Sequence, residues 1–102
     1  MTKEDAFRNY LATCYRSPKT RKAMSSKVIS DTISRCKRVE RCLDVDLYEF
    51  CRKGDRGLRA IIALIKSNAT AFGYDGSRPY FYTIFNYSVK HYYRFVDSLK
   101  QG

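Results

Sequence analysis

His91-Tyr92-Tyr93-Arg94 places an imidazole and a guanidinium three residues apart, with phenol hydroxyls beside them, in a chain of 102 residues. An H-x-x-R pair among tyrosines has the functional groups to hold a phosphate for attack by a phenolic oxygen. Such a reaction depends almost wholly on positioning and charge stabilisation. One imidazole and one guanidinium on a short stretch do not supply that positioning alone. Here the pair falls on a terminal amphipathic stretch, so it reads as a chance match with no catalytic role. The four cysteines, Cys14, Cys36, Cys42 and Cys51, include no C-x-x-C pair, and the single histidine lies far along the chain, so metal-ligand spacing is missing. They are also too few for a disulfide-stapled miniprotein and are expected to be free thiols in a reducing compartment. No metal and no cofactor are expected.

The stronger chemical signal is charge. Lys and Arg number 20 against 10 acidic residues, a net +10, which points to a polyanionic partner. The excess is concentrated. Residues 8–41 hold ten cations (Arg8, Arg16, Lys19, Arg21, Lys22, Lys27, Arg35, Lys37, Arg38 and Arg41) against Asp31 and Glu40, a net +8. Residues 42–58 are slightly acidic, with Asp44, Asp46, Glu49 and Asp55 outnumbering Arg52, Lys53 and Arg56.

These groups need elements to carry them, and 44% hydrophobic residues with 15% aromatics supply a modest single core, a single domain over residues 1–102. Thr2 with Asp5 is a variant capping box that opens a first helix, with Phe7, Tyr10, Leu11 and Cys14 at helical spacing. That helix must stop before Ser17-Pro18, and residues 16–24 read as a basic loop. Ser25 or Ser26 caps a second helix along the stripe Val28, Ile29, Thr32, Ile33, Cys36, Val39 and Leu43. Asp46 to Phe50 can form a short helical turn, and Gly54 and Gly57 punctuate the junction to a helix from about Leu58 to Ser67. After a long connection over residues 68–79, a last helix begins near Pro79. Its core face is Phe81, Ile84, Phe85, Ser88, Tyr92, Phe95, Val96 and Leu99. A strand over residues 80–85 is the alternative. The expected fold is all-α, a bundle of four to five helices.

On a helical wheel, Lys27, Ser30, Ser34, Arg38 and Arg41 fall opposite the apolar stripe of the second helix, with Lys37 at the edge. Arg16, Lys19, Arg21 and Lys22 lead into this helix, whose N-terminal N–H groups also favour phosphate. On the last helix Thr83, Asn86, Tyr87, Lys90 and Arg94 lie opposite the core stripe, flanked by His91 and Tyr93. Asn86, Lys90 and Arg94 have the reach for base edges, and Tyr87 can contact phosphate or stack.

Met24-Ser25 followed by Val28-Ile29, Thr32, Cys36 and Val39 resembles the L-S-x-x-T-I-x-x-Y-x-x-x-L-x-x-F pattern that opens a helix in the SAM-like N-terminal, core-binding domain of phage integrases and other tyrosine recombinases. Val28, Thr32, Cys36 and Val39 stand where Thr, Tyr, Leu and Phe are usual. Ser88 to Val96 resembles that domain's closing helix, and H-x-x-R is a signature of the family's catalytic domain, which is missing here. The resemblance implies an all-α, non-enzymatic module that clamps double-stranded DNA with its second and last helices, in integration or recombination.

An alternative use of the same basic scaffold is as a small interaction or inhibitor protein gripping an acidic protein partner. Binding of single-stranded nucleic acid is a third reading, and it needs several tyrosine rings free of the core. The apolar stripes match one small bundle, so a monomer or weak dimer is expected. The start Met1-Thr2-Lys3-Glu4-Asp5 lacks a signal peptide's apolar core and no apolar run of bilayer length occurs, which argues for the cytoplasm and against a membrane partner.

Overall fold

The computed structural model describes residues 2–15, 22–73 and 82–101. Helix α1 runs Lys3–Thr13. It starts as the sequence indicates: Thr2 Oγ1 accepts a hydrogen bond from the Asp5 N–H at 3.1 Å, and the Asp5 carboxylate accepts from the Thr2 N–H at 3.2 Å. Helix α2 spans Ser26–Leu43 with Ser25 as its N-cap, the hydroxyl accepting from the Val28 N–H. It ends where Asp44 turns into the left-handed region at φ 52, a conformation Asp tolerates better than most residues.

Glu40 reaches past this turn to accept the Leu47 N–H at 3.0 Å, which fixes the start of α3, Leu47–Cys51. Helix α4 spans Asp55–Ser67 and a 3-10 turn covers Ala69–Phe72. Helix α5 is Tyr82–Gln101. The structure is therefore all-α, and among the described residues it contains no strand. The strand alternative fails for residues 82–85, which are helical; the expected start at Pro79 and the residues Tyr80 and Phe81 lie outside the described residues.

Two expectations are corrected. Gly54, at φ 79, does mark the α3–α4 junction, but Gly57 lies inside α4 rather than ending a loop. A Cβ there would fall 1.7 Å from the Phe50 carbonyl oxygen, so this glycine permits α3 and α4 to touch backbone to backbone. On α5 the buried arc is Phe85, Ser88, Val89, His91, Tyr92, Phe95 and Val96, whereas Ile84 and Leu99 are 44% and 54% exposed. The cause is tertiary. Helices α1, α2, α3 and α4 all pack on α5, so its buried arc is wider than one stripe, while residues near its ends run past their partners. Val28, in the first turn of α2, is likewise 41% exposed.

The core sits where α1 and α2 meet α5. Phe7 packs edge-on against Tyr92 with ring centroids 5.0 Å apart and also against Phe95, and Phe72 from the 3-10 turn meets Phe85 at 4.8 Å. Thr32 and Ser88 are buried with their hydroxyls satisfied, because each donates to the carbonyl four residues back. The four cysteines are free thiols, with Cys36 and Cys51 buried and Cys14 exposed. Among the described residues no helix is long and apolar enough to cross a membrane.

Candidate nucleic-acid interface

The outward face of α2 is built by its 3.6-residue repeat. With Ile29, Ile33, Cys36 and Val39 held in the core, Lys27, Ser30, Ser34 and Arg41 must stand in solvent, and all four are exposed. Helix α1 runs antiparallel along one flank. Arg8 Nη1 lies 3.4 Å from the Ser30 hydroxyl and adds its charge to this face, while Lys37 pairs with Glu4. Between described residues there are three ion pairs, and only the Lys37–Glu4 pair uses a cation of α2. Lys27 and Arg41 have no such partner. Of the helix's two acids, Glu40 is turned inward to Leu47 and Asp31 is half-buried. Among the described residues this face therefore keeps a net positive charge, with Asp31 one turn after Lys27 as its one acid.

Arg38 behaves differently from its wheel position. It is half-buried on the other flank, where Nη2 donates to the Phe72 carbonyl at 2.6 Å and the guanidinium sits 5.6 Å from the Phe85 ring centre. The side chain ties α2 to the 3-10 turn before it does anything else. The cleft between them, about 590 Å³, has Ser34, Arg38, Arg41 and Cys42 on one wall and Ala71 to Gly73 on the other. An anion in this cleft would meet the anchored Arg38 guanidinium, the exposed one of Arg41 and the Lys37 side chain, which also lines it, a set suited to a phosphate.

The last-helix residues do not join this face. α2 packs on the buried side of α5, where Cys36 Sγ donates to the Ser88 carbonyl at 3.4 Å, so the polar faces of the two helices diverge. Thr83, Tyr87, Lys90 and Arg94 are exposed, and Asn86 and Tyr93 are half-buried. The Asn86 carboxamide oxygen is buried and finds no donor among the described residues, which leaves little of this side chain for base edges.

His91, expected at the flank, is 1% exposed. Its ring meets Tyr15 at 4.8 Å and Tyr87 at 4.5 Å, both edge-on, and neither ring nitrogen has a hydrogen-bond partner among the described residues. Burial, with a smaller contribution from the Arg94 charge, holds its pKa down at about 4. The imidazole is neutral and inward while Arg94 points out, so the H-x-x-R pair does not grip one phosphate. Tyr15 titrates above the usual phenol range because of its hydrogen bond with Tyr87 and then its burial, and Tyr10 is raised by burial against an opposing effect of Arg94.

Of the loop cations, Lys22 is exposed, and Arg16, Lys19 and Arg21 lie outside the described residues. Sequence reasoning counted Arg8 only as charge. Its place one turn after Glu4 was the available signal, since both residues line the edge of α1 that meets Lys37 and Ser30. No protein-family model matches the chain, and neither the curated proteins nor the solved structures include a match to it.

Proposed function

We propose that this protein is a non-enzymatic module that binds double-stranded DNA through the outward face of α2 and its flanks. The observation that carries this reading is the exposed, net positive row of Lys27, Ser30, Ser34 and Arg41, joined by Arg8 from α1 and by the cleft at Arg38. Cations spaced along one rigid helix, with hydroxyls between them, suit the phosphate backbone, which carries a charge every ~1.7 Å of duplex. Polar groups capable of reading base edges are few on this face, so affinity is chiefly backbone-directed and Lys90 and Arg94 form a separate, secondary contact. The sequence resemblance around Met24 to Val39 supports a core-binding role in DNA integration or recombination, in a reducing cytoplasm where the four thiols stay free.

The test is a salt titration of binding to a fluorescent duplex. Binding at micromolar protein in about 50 mM salt is expected, with log affinity falling by about 0.9 for each phosphate neutralised. Absence of duplex binding under those conditions removes the reading. A pull-down of an acidic protein that is lost with Lys27→Ala and Arg41→Ala would then assign the same face to a protein partner.

A further inference from the structure

A second cavity, of about 270 Å³, opens where α1 and α2 meet the start of α3. Its floor is apolar and buried: Phe7, Ile33, Cys36 and the ring of Tyr92. Its rim is charged, and the charges are not equivalent. Lys37 and Glu4 pair with each other, and Lys3, 3.8 Å from the centre of the Tyr48 ring, keeps its charge there. Against that one cation stand two carboxylates, Glu40 and Asp46. Each spends one oxygen on a backbone N–H, of Leu47 and of Tyr48, leaving Oε1 of Glu40 and Oδ2 of Asp46 without a partner among the described residues. The Tyr92 side chain is 9% exposed, lines the cavity, and its hydroxyl has no hydrogen-bond partner among the described residues.

Tyr92 and Cys36 line this cavity, and Cys51 is buried on α3. Burial raises Tyr92, Cys36 and Cys51 first, and the charge of Glu40 pushes each further in the same direction, with Asp46 adding to the effect at Tyr92 and Cys51. In a chain of net +10, this is a local region of negative potential over an apolar floor. An anion is disfavoured there and a neutral ligand leaves two carboxylates unanswered, whereas an amine carrying a short hydrocarbon body answers both features.

We propose that the α1–α2–α3 cavity is a binding site for a small organic ammonium ligand. The hydrocarbon body lies on Phe7, Ile33 and Cys36, the ammonium donates to Glu40 and Asp46, and the Tyr92 hydroxyl accepts a further hydrogen bond from it. This site does not rest on the DNA reading: Lys37 lines both cavities, but Phe7, Ile33, Cys36, Glu40, Asp46 and Tyr92 line this one and not the cleft at Arg38.

The experiment is calorimetric titration of the full chain with 2-phenylethylamine, with the neutral 2-phenylethanol as its isostere. Saturable one-to-one binding of the amine with Kd of ~0.1–1 mM is expected for a ligand of this size, and the alcohol should bind at least ~10-fold more weakly. Glu40→Gln and Asp46→Asn keep an acceptor for the Leu47 and Tyr48 N–H groups and should each weaken the amine by ~5-fold or more, Tyr92→Phe by ~3-fold, and Lys27→Ala not at all. Amide shifts on adding amine should centre on Ile33 and Cys36, which keeps the test decisive where a variant fails to fold. Equal binding of amine and alcohol, unsaturable heats, unaltered binding in Glu40→Gln and Asp46→Asn, or shifts centred elsewhere would each overturn the proposal.

Discussion

A buried imidazole whose two nitrogens find no hydrogen-bond partner among the described residues is a liability that depends on pH, and His91 is one. Its pKa is about 4 in the fold against 6.5 for the free side chain, so the unfolded chain binds a proton that the folded chain refuses. Its contribution is fully present above about pH 6.5 and is lost as pH falls towards about 4, so the thermal midpoint should drop across that window. His91→Phe keeps an aromatic ring against Tyr15 and Tyr87 and removes the titrating group. It should be at least as stable as the parent at pH 7 and show a flatter profile between about pH 5 and 6.5; an unchanged profile would count against the assignment. Arg38 and Lys27 separate in another way. Lys27→Ala should lower the salt slope of DNA binding by about one and leave the thermal midpoint unchanged. Arg38→Ala also removes the bond to the Phe72 carbonyl and the contact with the Phe85 ring, and should cost about 1–3 kcal/mol of stability by denaturant titration. The wheel does not distinguish these two residues, because the partner of Arg38 lies 34 residues away in a segment that reads only as a connection.

At the scale of elements, whatever is local in the chain is legible. The Thr2–Asp5 box, the Ser25 cap and the apolar repeat of α2 are each set by residues within a turn or two of one another, and all three are present. Gly57 is the instructive failure. In sequence it looks like punctuation, since glycine breaks helices for entropic reasons, yet its purpose is fixed by Phe50 of the neighbouring helix. Gly57→Ala, which on an isolated helix would stabilise by ~1 kcal/mol, should here destabilise by ~3 kcal/mol or more, because the added methyl meets backbone that cannot swing aside. Circular dichroism melts of the variant beside the parent decide between the two signs. The buried arc of α5 was misplaced for the same reason: periodicity reports that a face is buried, but the width of that face depends on how many neighbours the helix has.

Taken whole, the molecule exposes its larger apolar side chains on several helices, with Val28 on α2, Leu64 on α4, and Ile84, Tyr87 and Leu99 on α5. None of these makes a stripe comparable to the buried ones, and a stable dimer needs over about 1,200 Å² of complementary surface. Sedimentation equilibrium should therefore return the mass of one chain at micromolar concentration, and a tight dimer would contradict it. The divergence of the α2 and α5 polar faces makes a matching point about partners: a duplex lying along α2 leaves Lys90 and Arg94 to a secondary contact, so Arg94→Ala should change affinity less than Lys27→Ala. The central position of α5 reaches beyond the finished structure, to how the chain is made. Each of α1 to α4 buries part of its apolar side against this last one. During vectorial synthesis α1 to α4 leave the ribosome before the element that completes their core exists, so the nascent chain must wait with its hydrophobic surfaces uncovered. Folding is thus a late, nearly all-at-once event, and a pause or premature stop before Tyr82 yields a product for chaperones and proteases rather than a smaller version of the protein.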